Sequence, residues 1–368
     1  MKYIAVFFGG ESVEHDISVI TGVMAINSLN REKFVPVPVL ITDDGEWFTG
    51  EKLFDLDEYK SLDYKKLKRV TLICGENALY EMKGKKHKKI CEISCAINCL
   101  HGERGEDGSL GGLLSMCKIP LASPPTMPSS ISIDKNFTKK VMRALNVKTV
   151  GGIMIKGSLT ESMAKKIEFP VVVKPNRLGS SIGVSKAENL EQLYSSVNLA
   201  LRFGEEVLIE PCLSDFIEIN CAVYKKANGE IVASECEQPI GADKVLTFDD
   251  KYENGKRIFP ANIEKRLADK IKRVAKKIYA EMCFSGIIRI DFFVVKMEVY
   301  VNEINTVPGS LAYYLFTKTM REFSELLEEL INGALCEYAK SITVIKKYDT
   351  GILSFNGCKS CKRVEKRL

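Results

Sequence analysis

Tyr3-Ile4-Ala5-Val6-Phe7-Phe8-Gly9-Gly10 reads as a buried strand running into a glycine turn, and Ile17 to Leu29 reads as the helix that follows. A second strand is expected at Val35 to Ile41, closed by the turn residues Asp43-Asp44-Gly45. Strand, helix, strand in that order is βαβ grammar, so the chain begins as an α/β unit with a parallel sheet.

Working outward, residues 55–90 are more polar, with a hairpin tip at Lys83-Gly84-Lys85-Lys86, and read as an insertion in this first unit. A strand at Ser94 to Leu100 then delivers the loop His101-Gly102-Glu103-Arg104-Gly105-Glu106-Asp107-Gly108. Pro120, Pro124, Pro125 and Pro128 fall within nine residues, and proline interrupts both helix and sheet, so a domain boundary is expected near 125. A second unit, 126–208, holds a helix at Lys135 to Leu145, a strand at Val171 to Lys174, a loop at Gly179 to Gly183 and a helix from Leu190 towards Leu201. A third, 209–345, starts at the strand Val207 to Glu210. It holds an alternating segment (Glu218 to Val223), a basic helix (Ile263 to Met282) and paired strands at Ile287 to Val294 and Val299 to Glu303.

The net charge of +5 is carried by the end of the chain: residues 346–368 have seven Lys/Arg against two Asp/Glu, and the remaining 345 residues balance. Nucleic-acid binding needs a basic face on the folded body, so that partner class is not expected, and the tail is expected to be disordered. No apolar run approaches the roughly 18 residues of a membrane helix. The first apolar run is too short for a signal-peptide core, which places the protein in the cytoplasm. The twelve cysteines are mostly set in apolar stretches, as free thiols in a reducing compartment are. Cys91, Cys95 and Cys99 recur every fourth residue on what reads as a strand, a geometry that strings sulfurs out instead of gathering them on one metal. Cys358-x-x-Cys361 has no second pair nearby.

Two segments carry chemistry. Arg289-Ile290-Asp291-Phe292-Phe293 and Val301-Asn302-Glu303-Ile304-Asn305-Thr306 read as neighbouring strands in which polar residues interrupt apolar ones. Asp291, Glu303 and Asn305 supply the oxygen ligands that Mg²⁺ takes; the alternative is a salt bridge between Arg289 and the acids. The second segment is Lys174-Pro175-Asn176-Arg177-Leu178-Gly179-Ser180-Ser181-Ile182-Gly183. A lysine ending a strand before a glycine–serine loop can present N–H groups and hydroxyls to a triphosphate, though it is not a Walker A loop because the lysine precedes the glycines.

Taken jointly with Gly9-Gly10-Glu11-Ser12-Val13-Glu14-His15-Asp16-Ile17-Ser18, the His101 to Gly108 loop and Glu303-Ile304-Asn305-Thr306-Val307-Pro308-Gly309, these segments resemble the ATP-grasp superfamily. Within it they resemble the D-alanine–D-alanine ligases, in order and spacing over roughly residues 3–316. The resemblance implies an ATP-grasp fold behind an N-terminal Rossmann-like domain, ATP as co-substrate, Mg²⁺ or Mn²⁺, two small amino acids, a homodimer and a role in peptidoglycan synthesis. It assigns Lys135 and Lys174 to the ATP phosphates, with Gly179, Ser181 and Lys251 beside the nucleotide. Adenine falls to the backbone of Glu210, Cys212 and Leu213, the ribose to Glu218, and the metal to Asp291, Glu303 and Asn305. An acyl phosphate and then a tetrahedral oxyanion would form, the latter stabilised by Arg289 and the Gly309 N–H. Glu14 would hold the first substrate's ammonium, with Ser180 and Tyr252 orienting it and His101 orienting its carboxylate. Residues 247–257 resemble a lid that excludes water from the acyl phosphate.

The chain departs from the family after Gly309. Tyr314 stands where the family has a serine for the second amino acid's carboxylate, with Ser310 as a possible substitute. D-Ala–D-Ser, D-Ala–D-lactate or another dipeptide therefore stand beside D-Ala–D-Ala as products, with Tyr252 favouring an amine acceptor. A non-catalytic ATP-binding protein is a third reading, opposed by the presence of Lys135, Lys174, Arg289, Asp291, Glu303 and Asn305 together.

Overall fold

The computed structural model describes residues 1–240 and 256–350. β1 (Lys2–Gly9) is joined by α1 (His15–Ser28) to β2 (Phe34–Ile41), which lies parallel to it. The segment after β2, including the expected 55–90 insertion, extends that sheet: β3 (Trp47–Thr49), β4 (Lys68–Leu72), β5 (Ala78–Lys83) and β6 (Lys86–Glu92) add antiparallel beyond β2. β7 (Cys95–Asn98) pairs parallel with β1 on the other side, giving the order β6-β5-β4-β3-β2-β1-β7. Pro36 and Pro38 lack an N–H, and β2 tolerates them because β3 pairs with it only at Leu40 and Ile41.

Cys91 to Leu100, read from sequence as one strand, is two. At Ile93 the chain leaves β5, and the Ser94 N–H moves to the Tyr3 carbonyl at 2.9 Å, so Cys91 lies on β6 and Cys95 on β7. Those two thiols and Cys99 are buried apart in apolar packing, and burial raises each of them: Cys91 to about 11, Cys95 to about 12, and Cys99 further.

Alternation along β1 sends Ile4, Val6 and Phe8 to one face, and Ala5 and Phe7 to the other. The second face is covered by α2 (Ser109–Met116) through Leu110 and Leu114. Onto the first pack α1 and α8 (Met320–Ile342), a helix near the other end of the chain; Phe323, Leu327 and Ile331 of α8 share one core with Ile4, Val6 and Phe8. The first sheet is thus completed by a helix some 220 residues beyond the last of its own strands.

After the prolines come α3 (Thr126–Ile133) and α4 (Lys135–Ala144), then a four-stranded antiparallel sheet in the order β10-β9-β11-β8. Its strands are β8 (Ile153–Lys156), β9 (Val171–Pro175), β10 (Ser185–Ala187) and β11 (Glu206–Pro211); α5 (Glu161–Ala164) and α6 (Leu190–Ala200) flank it. The third sheet runs β13-β12-β16-β17, from β12 (Ile217–Lys225), β13 (Ile231–Ala233), β16 (Ile287–Val295) and β17 (Glu298–Asn305). β14 (Gln238–Pro239) and β15 (Arg257–Ile258) form a small ribbon beside it. α7 (Lys265–Glu281) lays Leu267, Ile271, Ala275 and Ile278 on the back of the third sheet. No helix among the described residues is long and apolar enough to cross a membrane.

Candidate active site

Two clefts meet between the second and third sheets. One is lined by Lys135, Lys174, Glu210 and the Cys212-Leu213 segment, the other by Glu14, His101, Arg289 and Tyr314; both are lined by Gly179, Glu218 and Glu303.

The first cleft is built on α4 and the strand ends. Asp134 caps α4, its side chain accepting from the Phe137 N–H at 2.9 Å, and the buried stripe of that helix carries two lysines, Lys135 and Lys139. Lys135 Nζ donates to the Leu178 carbonyl at 2.7 Å and lies 3.6 Å from Glu303. On β9, Lys174 Nζ is 2.7 Å from Glu210 Oε2 and 3.3 Å from Asn302 Oδ1. Lys139 pairs with the other oxygen of Glu210 and donates to the Val150 carbonyl at 2.8 Å. Burial raises the Glu210 carboxyl, but Lys174 and Lys139 outweigh it and hold the group below the ordinary range. Burial also pulls Lys135 and Lys139 down, against the upward pull of Glu303 and Glu210 respectively. Of the segment expected beside adenine, Cys212 gives its N–H to the Pro170 carbonyl at 2.9 Å, so that donor is already committed.

The second cleft gathers loops from all three sheets. Gly9 has φ +86°, and a Cβ there would stand 2.2 Å from the Ile41 carbonyl oxygen, so the turn after β1 needs glycine. Ser18 fastens this turn: it accepts from the Gly9 N–H at 2.8 Å and donates to the Cys99 carbonyl at 2.7 Å. Glu14 is 5% exposed and accepts from Ser180 Oγ. Ser180 and Ser181 both take left-handed backbone, at φ +51° and +58°. His101 is buried, with Nε2 3.2 Å from Thr21 Oγ1, and burial lowers it to about 4, so its ring is neutral near pH 7. Thr21 Oγ1 also accepts from the Ser310 N–H at 3.1 Å, linking α1, the His101 loop and the turn after Gly309. Glu106 takes the Gly102 N–H at 3.0 Å on one oxygen and the Val307 N–H at 3.1 Å on the other. It is raised to about 8, by burial first and by Glu14 second.

On β16 and β17 the register sets Asp291 opposite Glu303 and Arg289 opposite Asn305, with a bulge directly after Asp291. Arg289 holds both oxygens of Asp291, at 2.7 and 2.8 Å, and Asn305 donates to one of them at 3.0 Å. The salt bridge weighed as an alternative to a metal site is therefore present, and Asp291 outweighs burial to keep Arg289 strongly charged. Among the described residues no group of three His, Cys, Asp or Glu is gathered for a metal. Asp291, Glu303 and Asn305 still offer two carboxylates and an amide oxygen along one pair of strands. That is a hard-oxygen donor set of the kind Mg²⁺ takes, provided Asp291 shares an oxygen now held by Arg289.

Beyond Arg289, Gly309 lines the cleft and Ser310, Leu311 and Ala312 take left-handed backbone in succession, at φ +51°, +51° and +49°. Tyr314 follows: it lines the same cleft as Arg289, and Arg257 stacks over its ring at 4.2 Å. Burial raises this phenol against the downward pull of Arg289.

Lys251 and Tyr252, and with them most of the lid and the whole Cys358/Cys361 segment, lie outside the described residues. Every other site residue predicted from sequence lies in or beside the two clefts. Thr21, Glu106, Lys139 and Glu237 were missed. Glu14, Ser18 and Thr21 are spaced i, i+4, i+7, and Lys135 and Lys139 i, i+4, so helical facing was a readable sign for Thr21 and Lys139. Glu106 lay inside a quoted motif without a role; Glu237 carries no local signal.

Residues 3–124 match the family model described as D-ala D-ala ligase N-terminus, and residues 144–332 match the D-ala D-ala ligase C-terminus. The D-alanine–D-alanine ligase of Thermosipho melanesiensis is 35% identical over 364 residues, covering 96% of this chain and 98% of the relative. Among solved structures, a D-alanine–D-alanine ligase from Helicobacter pylori superimposes with a TM-score of 0.75 at 29% identity, covering 90% of this chain and 98% of the other. A D-Ala:D-Ser ligase from Enterococcus faecalis does so with 0.77 at 27%, covering 90% and 99%. With both halves matched and the two clefts assembled as described, this chain belongs to the D-alanine–D-alanine ligase family.

Proposed function

We propose that the chain uses ATP to join two D-alanines into the dipeptide that peptidoglycan precursors require. The observation that carries this reading is the meeting of the two clefts at Gly179, Glu218 and Glu303. A nucleotide whose phosphates lie along Lys135 and Lys174 presents its last phosphate at that junction, within reach of an amino acid held against Glu14.

A carboxylate oxygen of the first D-alanine attacks the γ-phosphorus, the bond to the bridging oxygen breaks, and ADP leaves with the electron pair. The resulting acyl phosphate is attacked at carbon by the amine of the second D-alanine. Negative charge collects on the former carbonyl oxygen, then phosphate leaves taking the proton that the amine gives up, and the peptide bond remains. Glu14 anchors the first ammonium, Ser180 orients the substrate beside it, and His101 faces its carboxylate. Neutral His101, held by Thr21, is a hydrogen-bonding partner that adds no charge. Arg289 and the Gly309 N–H stabilise the oxyanion. Bound to Asp291, Glu303 and Asn305, Mg²⁺ would neutralise charge on the phosphates. The adenine edge is assigned to the backbone at Glu210 and Leu213, and the ribose to Glu218. The family resemblance also supports a cytoplasmic homodimer, which light scattering on the purified protein tests.

Phosphate release from Mg-ATP across D- and L-amino acids and D-lactate tests the reading. Release with D-alanine alone, with the dipeptide mass, is expected; release only with a second, different acceptor favours a D-Ala–D-Ser type of enzyme, the reading that Tyr314 keeps open. Silence across the panel with ATP bound refutes both.

A further inference from the structure

Four residues of the amino-acid cleft have no task in the scheme above: Asn220, Glu237, Arg257 and the ring of Tyr314. Glu237, 3% exposed, accepts from Asn220 Nδ2 at 3.2 Å and from Arg257 at 3.4 Å. The Arg257 guanidinium is thereby held over the Tyr314 ring, while its side chain stays 46% exposed. The Tyr314 phenol, raised by burial, keeps its proton to donate. Asn220 Oδ1 is buried without a partner among the described residues, although Asn220 lines the cleft. A cation carried on β15 is thus held between the Glu237 carboxylate and the Tyr314 ring, and the same carboxylate takes Asn220, whose Oδ1 is left unsatisfied among the described residues.

We propose that Arg257 is the specificity-determining residue of the acceptor subsite, its guanidinium receiving the α-carboxylate of the second amino acid with the Tyr314 hydroxyl beside it; this rests on the dipeptide-ligase reading. Arginine's planar fork matches a carboxylate with two parallel N–H donors. Glu237 offsets the charge when the subsite is empty and limits how far the guanidinium can swing. The tyrosine in place of the family's serine then has a physical reason: its ring is the shelf on which the guanidinium rests. The class of acceptor is an α-amino acid with a free carboxylate, and an acceptor lacking that carboxylate is disfavoured.

A competition between D-alanine and D-alaninamide tests this, because the amide has no carboxylate to activate and can serve only as acceptor. The ratio of dipeptide to dipeptide amide, read by mass spectrometry, reports relative kcat/KM for the two acceptors. The unaltered enzyme is expected to favour the dipeptide, and Arg257→Ala to shift the ratio towards the amide by about tenfold or more, the worth of one charged hydrogen bond. Arg257→Lys, which keeps the charge and loses the fork, is expected to fall between them. It also carries the test if Arg257→Ala makes no product. Active variants that keep the original ratio overturn the inference and leave the ligase reading standing. An unaltered enzyme that makes neither product overturns both.

Discussion

The two clefts are built by opposite means. In the nucleotide cleft the charges stand on strands and on a capped helix, and they are already neutralised within the protein: Lys174 and Lys139 on Glu210, Lys135 beside Glu303. In the amino-acid cleft several groups stand on turns with left-handed backbone, at Ser180 and Ser181 and again at Ser310 to Ala312, the second tied to α1 by the Ser310 N–H to Thr21. A triphosphate offers many charges to a rigid cationic frame, whereas a small amino acid must be recognised by a few contacts placed closely. Phosphate binding here is a property of the sheets, and the grip on the first amino acid a property of the loops.

The sharpest way to break the comparison is at the strand pair. Asp291→Asn is expected to lower phosphate release by roughly 10³-fold, since it weakens a metal ligand and leaves Arg289 without its counter-charge. Full activity in the variant would remove Asp291 from the metal set. Next in size, Lys139→Met should destabilise the protein by about 3 kcal/mol, because Glu210 loses one of two buried partners, with much of the loss restored by adding Glu210→Gln. Denaturant unfolding measures it, and a change within error would mean the nucleotide cleft is not held together by its own ion pairs.

Two smaller effects sharpen the loop side. His101 binds a proton in the unfolded chain below its ordinary value of 6.5 but in the folded protein only near 4, so stability falls as pH drops through that window. From pH 7 to pH 5 His101 takes away about 2 kcal/mol while Glu106, raised to about 8, adds stability over the same range, and the His101 share should be absent in His101→Gln. Equal pH slopes in the two proteins would show that His101 is not buried neutral. Smallest, Ser310→Gly should stabilise by about 1 kcal/mol, since glycine takes φ +51° without strain while the N–H bond to Thr21 is kept. A loss of stability would mean that the serine hydroxyl holds the turn.

Much of this was open to reading from sequence because each sign was local. The Tyr3 to Gly10 strand and turn, the Val171 to Gly183 strand and loop, and the paired strands around Asp291 and Glu303 formed where expected. The α8 helix was not anticipated, although Thr319-x-x-Glu322 is a capping box and both of its hydrogen bonds are made. Glu237 could not be read, since its meaning comes from Asn220 and Arg257, 17 residues before it and 20 after. The rule that separates these cases is sequence distance: periodicity and turn chemistry report on neighbours, while the acceptor wall is made by segments that meet only in the fold.

The seat of α8 on the first sheet has a consequence for how the protein is made. The apolar face of Ile4, Val6 and Phe8 is finished by Phe323, Leu327 and Ile331, which leave the ribosome last among the described elements. At roughly 5–20 residues per second, the first strands wait on the order of 10–50 s for that cover. The amino-terminal sheet, though first in sequence, completes its folding only once residue 331 has been made, and a chain cut short before residue 320 is expected to present that face to chaperones and proteases.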